Sequence, residues 1–244
     1  MNHPKLYLDH FYRVVSEKAF EEAKEFLSVF PDSEHRKSDT NTGTWEGVYL
    51  MAADGTYLEI IKEDAYWKDA FVSMCTSQFG DELDLHASLC ASFKDEFLLS
   101  KVNRPNGDPW IHTTMLERPD HQLFFYCLEY QGDERQKRKE KGKHPGNWLQ
   151  SFDSLDCFVS SKQFSLIPSS VSWFASDCQV TGDSITLKIP RMSSDEFLMN
   201  LKKTASEKRG FKVIGKIDKK IKPLCLDFFT LRNDSGKFIL EYRH

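Results

Sequence analysis

The hydrophobic pattern at the start of the chain predicts a strand, a helix and a hairpin, in that order. Over Lys5–Val15, apolar and polar residues alternate with a period of two, which is typical of a β-strand. Over Glu17–Phe30, apolar residues recur at helical spacing, and Ser16 is placed to cap the first turn. The stretches Trp45–Met51 and Thr56–Lys62 are typical of two strands joined by a tight turn.

A similar set of elements is predicted for the middle of the chain. Leu83–Ser92 has the pattern of a strand, and Lys94–Val102 has that of a short helix. Trp110–Glu117 and Leu123–Tyr130 follow as the two strands of a hairpin. The order of these elements therefore repeats the order at the start of the chain.

The C-terminal part of the chain also mixes strands with a helix. Ser184–Ile189 is strand-like, and a capping box that begins at Ser193 predicts a helix that ends near Gly210. Three more strands are expected after this helix, at Phe211–Ile217, Leu224–Leu231 and Phe238–Tyr242.

One short motif recurs in the strands that close these stretches. It is Leu58-Glu59-Ile60 in the first, Leu128-Glu129-Tyr130 in the second and Leu240-Glu241-Tyr242 in the last. A chance match, with each glutamate on a solvent-facing side, is the simplest alternative. Because the first and last motifs follow similar hairpins, we predict three related units with an acidic residue at the same place.

The composition is that of a folded protein with a sizeable core. Of the 244 residues, 40% are hydrophobic and 13% are aromatic, which argues against a disordered chain. The net charge of −4 gives no reason to expect nucleic acid or an anionic membrane as a partner. No secretory signal and no apolar run of ~18 residues occurs, so a cytoplasmic location is expected.

One segment is too highly charged to be buried. Glu134–His144 holds six Lys or Arg residues, which predicts a solvent-exposed loop or linker. We therefore expect paired units over 1–133, a charged linker over 134–150 and a C-terminal module over 151–244. The six cysteines include no Cys-x-x-Cys pair and are expected to be reduced thiols.

The segments LYLDHFYRVVS and GTWEGVYLMAADGTYLEII, with the helix between them, resemble the N-terminal unit of the vicinal oxygen chelate superfamily. That superfamily includes glyoxalase I, extradiol dioxygenases and antibiotic-binding resistance proteins. The resemblance implies an α+β fold of repeated βαβββ modules, whose curved mixed sheets enclose a cavity, plus an additional C-terminal α+β unit. It is close over residues 5–62, weaker over 83–131 and architectural over 184–242.

The resemblance also implies a metal site. Metal-dependent members place a His of the first strand and a Glu of the last strand of a module in the cavity. The matching residues here are His10 and Glu59 in the first unit and His86 and Glu129 in the second, with both glutamates as catalytic residues. Nitrogen and oxygen ligands without thiolate suit Zn, Ni, Co, Mn or Fe(II), which would polarise a carbonyl or bind vicinal oxygens.

Several alternatives remain open at this stage. His112 lies on the strand after His86 and replaces it as a ligand in one version of the site. If the first and third units pair instead, one histidine remains with two glutamates, of which Glu241 is the second. In the simplest case His10 is a core residue that is hydrogen-bonded to Asp9 or to a backbone carbonyl. If His10 is a metal ligand, its other ring nitrogen needs an acceptor, and Asp9 is expected to face away from it.

Three functions are compatible with these features. The first is a metal-dependent lyase, isomerase or dioxygenase acting on a small oxygen-rich substrate, and the second is metal-free binding of a small molecule, as in resistance proteins. The third is a protein-interaction module, and a homodimer is compatible with all three. We predict a glyoxalase-like protein with a small-molecule cavity and leave its enzymatic status open. The aromatic residues expected to line the cavity are Trp45, Tyr49, Tyr57, Trp110, Phe124 and Tyr126.

Overall fold

The computed structural model describes residues 4–64, 72–78, 84–93, 97–116, 125–141, 147–167, 171, 173–192, 195–204 and 210–242. Within these residues, sixteen strands form two eight-stranded mixed sheets, with a few short helices. The predicted α+β class with repeated units and mixed sheets is confirmed. No helix in the described part of the chain is long and apolar enough to span a membrane.

The first sheet is built from two units that lie side by side. Its strand order is β2-β3-β4-β1-β5-β8-β7-β6, and the first strand of each unit pairs in parallel with the last, β1 with β4 and β5 with β8. The elements are β1 Leu6–Val15, α1 Glu17–Ala23, α2 Phe26–Val29, β2 Glu34–Thr40, β3 Gly43–Met51, β4 Tyr57–Lys62, β5 Val72–Gln78, α3 Leu85–Ser92, β6 Phe97–Asn103, β7 Pro109–Leu116 and β8 Phe125–Tyr130.

The second sheet repeats this order with one change. Its order is β10-β11-β12-β9-β13-β16-β15-β14, but β13 pairs with β16 in antiparallel fashion. Residues 218–223, between β13 and β14, form no helix. A parallel pair of strands needs a long crossover connection, usually a helix, between them. Without one, the last strand of this unit runs antiparallel to its first strand. The elements are α4 Gly132–Lys141, β9 Leu149–Ser160, α5 Ser161–Leu166, β10 Asp177–Thr181, β11 Ser184–Pro190, β12 Glu196–Thr204, β13 Phe211–Ile217, β14 Leu224–Cys225, β15 Phe229–Asp234 and β16 Lys237–Tyr242.

The three strands with the Leu-Glu motif occupy equivalent places. They are β4, β8 and β16, each the last strand of its unit, paired with the first strand and preceded by an antiparallel neighbour. The predicted number of units, three, is lower than the four that the two sheets contain, however. The C-terminal part holds two units, β9–β12 and β13–β16, and the closing strand β12 of the former has no Leu-Glu motif.

Two predictions for the second unit are wrong. Leu83–Ser92 was expected to be a strand, but Leu85–Ser92 is helix α3, because Leu85 and Leu89 are buried at helical spacing and Asp84 accepts a hydrogen bond from the Ala87 N–H. Lys94–Val102 was expected to be a helix, but strand β6 occupies most of it and pairs with β7. The opening strand of this unit is β5, in a stretch whose pattern gave no clear signal.

Two further predictions also need correction. The helix expected from Ser193 to Gly210 is replaced by strand β12, in which Phe197, Met199 and Leu201 are buried with a period of two; Ser193 itself lies outside the described residues. The charged segment predicted as a loop begins as helix α4. Glu134 lies in its first turn and forms an ion pair with Lys137 at 3.1 Å.

The main core lies between the two sheets. Phe11 of β1 contacts Phe152 and Phe197 of the second sheet, with ring centroids 5.1 and 5.4 Å apart. Phe26 of α2 contacts Phe229 of β15 at 5.2 Å. The helix-bearing face of the first sheet therefore packs against the second sheet. On the opposite face of the first sheet, a second buried cluster contains Tyr12, Val14 and Ile61, with Trp45 and Tyr126 packed against it.

The first sheet curls around that opposite face. Strands β3 and β7 are five strand spacings apart, which is about 24 Å in a flat sheet. Yet Trp45 of β3 and Trp110 of β7 have nearly parallel rings whose centroids are 6.1 Å apart. At the sheet edges, the Asn103 N–H donates to the Asn41 side-chain oxygen at 2.7 Å. The face opposite the core is thus an interior, and we call it the interior of the first sheet.

Candidate functional site

A β-bulge in β1 brings two polar residues into this interior. Leu8 pairs with Thr76 and His10 pairs with Cys75 on β5, so Asp9 is an extra residue between them. Because of the bulge, Asp9 and His10 contact each other: Asp9 Oδ2 is 2.7 Å from His10 Nδ1. Asp9 is fully buried and His10 is 5% exposed. The expectation that Asp9 faces away is therefore wrong, since alternation along the strand is interrupted at this point.

Glu59 approaches His10 from the neighbouring strand β4. Its Oε1 accepts hydrogen bonds from the Tyr49 hydroxyl and, at 3.0 Å, from the Trp45 indole N–H. Its Oε2 lies 3.9 Å from His10 Nε2, beyond hydrogen-bond distance. Burial raises the pKa of Glu59 above its usual range, although His10 and the Tyr49 hydrogen bond act in the opposite direction.

Aromatic rings surround this pair. The Tyr57 ring stacks on the His10 ring with centroids 4.4 Å apart. Burial, with the Glu59 charge next in size, raises the pKa of Tyr49, so its hydroxyl stays protonated and acts as a donor. The Arg36 guanidinium lies 3.9 Å from the centre of the Tyr49 ring.

A glycine makes room for these contacts. A Cβ atom on Gly47 would lie 3.0 Å from the Tyr49 hydroxyl and 3.1 Å from Glu59 Oε1, tighter than ordinary van der Waals contact. Gly47 is therefore the residue that allows Tyr49 and Glu59 to approach each other on this face of the sheet.

The second predicted glutamate lies on the other side of the sheet. Glu129 Oε2 accepts a hydrogen bond from the Leu85 N–H at the start of α3, at 3.0 Å, and Oε1 accepts one from the Gln131 amide at 3.2 Å. Along β8, Cys127 belongs to the main core while Tyr126 packs against the interior cluster. Alternation then places Glu129 on the core side, opposite to the side that Glu59 occupies on β4.

The other two predicted ligands are also placed away from His10. His86 lies on α3, where its Nε2 is 3.7 Å from Cys90 Sγ. His112 pairs with Glu129 across β7 and β8 and so shares its face. Of the predicted ligands, the structure brings together His10 and Glu59. Among the described residues, no group of three or more His, Cys, Asp or Glu side chains is arranged to hold a metal ion.

The second sheet shows what the same framework looks like with other residues. Strand β9 has a bulge at Asp153, which matches Asp9 and places Ser154 where β1 has His10. In the same register, Asn200 takes the place of Glu59 and accepts a hydrogen bond from Thr186 at 3.0 Å. At the matched positions, the first sheet therefore has a histidine and a glutamate, and the second sheet has a serine and an asparagine.

Part of the site was accessible to sequence reasoning. His10 and Glu59 were expected from the family resemblance, and the lining aromatics Trp45, Tyr49 and Tyr57 from their places on predicted strands, whereas Phe124 lies outside the described residues. The role of Asp9 was missed because a bulge leaves no mark in a hydrophobic pattern. The role of Gly47 had one signal, which is a glycine inside an otherwise continuous strand.

Comparisons with known proteins give a fold but no family. No protein family matches the chain, and no similar sequence is found among curated proteins. Among solved structures, the chain is similar to a hypothetical protein from Staphylococcus aureus, with 12% identity and a TM-score of 0.50 over 82% of this chain and 86% of that chain. A xylose isomerase-like TIM barrel/4-hydroxyphenylpyruvate dioxygenase fusion protein matches 84% of this chain and 34% of its own, with 11% identity and a TM-score of 0.45. The first likeness is one of fold, and the second is too distant to support an argument.

The five cysteines whose side chains are described form no disulfide. Cys127 and Cys157 are buried, Cys178 is half-buried, and Cys90 and Cys225 are exposed. Burial raises the pKa of Cys157, which favours the inert protonated thiol. The nucleophile chemistry of a low-pKa thiolate therefore does not apply at that position.

Proposed function

We propose that the interior of the first sheet binds a small molecule without a metal and that His10 and Glu59 hold its polar group. The observation that carries this proposal is a pair of polar atoms on two side chains that are each only 5% exposed. His10 Nε2 and Glu59 Oε2 face each other at 3.9 Å, and neither makes a hydrogen bond to any residue in the described ranges. Polar groups on largely buried side chains normally have hydrogen-bond partners, so a ligand group or ordered water between them is the natural complement.

The topology supports placing the chain on the vicinal oxygen chelate scaffold. Two units with parallel first and last strands lie next to each other, and the sheet that they form curls around an interior. Interiors of this kind hold small ligands that are lined by aromatic side chains and oriented by a few polar groups. The tyrosines and tryptophans around His10 and Glu59 fit that description.

Metal-dependent chemistry is the second candidate, and one observation favours it. A histidine that gives its other ring nitrogen to a carboxylate, as His10 does to Asp9, is the usual arrangement of a metal ligand. A bound divalent ion would polarise a carbonyl or a pair of vicinal oxygens. His10 and Glu59 supply two metal ligands, whereas catalytic sites commonly use three from the protein. Their ligand atoms are 3.9 Å apart, more than the ~3.4 Å between two ligands of a tetrahedral ion. This candidate therefore ranks second.

A ligand screen with matched variants tests both candidates. Wild-type protein purified without added metal is screened against small aromatic compounds by tryptophan fluorescence, and its metal content is measured in parallel. His10→Asn keeps a side-chain amide near Asp9 but removes Nε2, and Glu59→Gln keeps the size of the side chain. Glu241→Gln is the control, because Glu241 belongs to the same motif on the second sheet.

The outcomes separate the candidates. Compounds that bind to the wild type and to Glu241→Gln, but not to the two site variants, support the proposed binding site. About one metal ion per chain that is lost in both site variants supports the second candidate. Binding that is equal in all four proteins, or an absence of binding in the wild type, would overturn the proposed function.

A further inference from the structure

We propose that the ligand presents a primary ammonium group to His10 and Glu59. This inference rests on the proposed binding site and names the chemical class that the site selects. The selectivity of the site follows from which atoms of the two residues donate and which accept.

His10 presents an acceptor to the interior. Asp9 Oδ2 also accepts a hydrogen bond from the Tyr130 hydroxyl at 2.9 Å. When Asp9 is ionised it offers no hydrogen, and the His10 Nδ1 that it contacts at 2.7 Å then carries the N–H. In the neutral imidazole, the hydrogen on Nδ1 leaves Nε2 with a free lone pair.

Ionised Glu59 presents a second acceptor, and a cation bound beside it offsets the burial that raises its pKa. Its Oε1 already receives hydrogen bonds from Tyr49 and Trp45, which leaves Oε2 as the oxygen that faces His10. Two acceptors at 3.9 Å cannot satisfy each other. They can share one nitrogen that has several N–H groups and lies ~2.8–3.0 Å from each of them. A primary ammonium is such a group, whereas a hydroxyl has a single hydrogen and a carboxylate has none.

Charge and aromatic surroundings favour the same group. Arg36 is the nearest guanidinium, but its Nη1 forms an ion pair with Glu34 at 2.8 Å. In the described part of the chain, Glu59 has no ion pair with a lysine or arginine, although the nearby Arg36 charge acts to lower its pKa. The Tyr57 ring, stacked on His10, and the Tyr49 ring, 5.9 Å from it, provide aromatic surface beside the pair. The buried cluster of Tyr12, Val14 and Ile61 provides an apolar surface for the rest of the ligand.

A series of probes with one ring and different polar groups tests the inference. The probes are 2-phenylethylamine, its N,N,N-trimethyl derivative, 2-phenylethanol and 3-phenylpropionate, titrated by calorimetry in the presence of EDTA. We expect the amine to bind at least tenfold more tightly than the other three, because it alone offers several charged N–H donors. Glu59→Gln and His10→Asn should each weaken amine binding at least tenfold and change alcohol binding by less than threefold. Glu241→Gln should change neither.

Each other result has a defined meaning. If the alcohol or the acid binds as tightly as the amine and His10→Asn abolishes that binding, the site exists but the ammonium inference is overturned. If the trimethylated probe equals the amine, the aromatic rings alone recognise the charge, and the proposed role of the two acceptors is overturned. If the amine binds only after zinc replaces EDTA, or if no probe binds up to its solubility limit, the inference is also overturned, and the wider screen decides the proposed function separately.

Discussion

At the scale of single residues, the two carboxyl oxygens of Glu59 have different partners in the interior of the first sheet. One oxygen receives two hydrogen bonds from Tyr49 and Trp45, while the other faces His10 across a gap. Asp9 fixes the His10 ring from the opposite side. These hydrogen bonds hold the Glu59 carboxyl group and the His10 ring in place. The distance between Glu59 Oε2 and His10 Nε2 is therefore fixed by the surrounding residues.

The buried position of Glu59 predicts a pH-dependent stability. Since burial raises its pKa above the ordinary value of 4.5, the folded chain binds this proton more readily than the unfolded chain does. Stability should therefore fall as the pH rises from about 4.5 through the raised pKa. We expect Glu59→Gln to gain stability relative to the wild type over this window and to level off above it. Urea unfolding at a series of pH values measures this, and a difference that does not vary with pH, or that Glu241→Gln reproduces, would contradict it.

Gly47 predicts a second effect at this scale. In Gly47→Ala the new methyl group would press on Tyr49 and on Glu59 Oε1 at 3.0–3.1 Å. We expect a loss of about 1–3 kcal/mol in the free energy of unfolding, typical of overpacking, together with weaker binding of ligands that Glu59 holds. Denaturant unfolding and calorimetry check the two parts. An alanine variant with wild-type stability and affinity would show that the pair tolerates displacement.

At the scale of elements, the sequence predicted strands and helices well where the period of the pattern was unambiguous. β1 is rich in β-forming residues, the helix predicted over Glu17–Phe30 forms as the two short helices α1 and α2, and the β3–β4 hairpin has a turn signal between two strands. Short segments were less informative. Leu85–Ser92 fits either period over eight residues, and the packing of Leu85 and Leu89 decided in favour of a helix. The capping box at Ser193 was a false signal, because the alternating buried residues of β12 outweigh it.

Gly215 in β13 predicts a stability effect that belongs to strand packing. Its missing side chain allows β9 and β16 to approach from both sides, and a Cβ atom there would lie 2.4 Å from the Ser151 carbonyl oxygen and 2.2 Å from the Phe238 ring. Because a backbone atom cannot swing away, we expect Gly215→Ala to lose about 3 kcal/mol or more, above the loss for Gly47→Ala. Urea denaturation of both variants gives the comparison, and a smaller loss at Gly215 would refute the argument.

At the scale of the whole molecule, the two sheets share one core, so the interior of the first sheet faces away from the second sheet. This arrangement could not be predicted from the sequence, because the packing of distant units depends on contacts such as those of Phe11 with Phe152 and Phe197. The division into 1–133, 134–150 and 151–244, the cytoplasmic location and the homodimer stay predictions.

The shared core predicts a single unfolding transition. Phe11→Ala removes a fully buried ring that contacts both sheets, and we expect a loss of about 3–5 kcal/mol. Far-ultraviolet circular dichroism and tryptophan fluorescence should still report one coincident transition. Phe158→Ala is the control, since Phe158 is 39% exposed on the second sheet and its loss should be smaller, about 1–2 kcal/mol. Two separate transitions in the wild type would contradict a common core.

The bulge shared by β1 and β9 has a consequence for the ancestry of the chain. Asp9 and Asp153 occupy the same irregular position, and each strand runs on into a similar stretch, Val15-Ser16-Glu17-Lys18 in one and Val159-Ser160-Ser161-Lys162 in the other. Such a match is the pattern that duplication of a segment would leave. On that reading the bulge would belong to the parent and be older than the difference between His10 and Ser154. The first sheet holds a histidine and a glutamate at the matched positions, and the second sheet holds a serine and an asparagine.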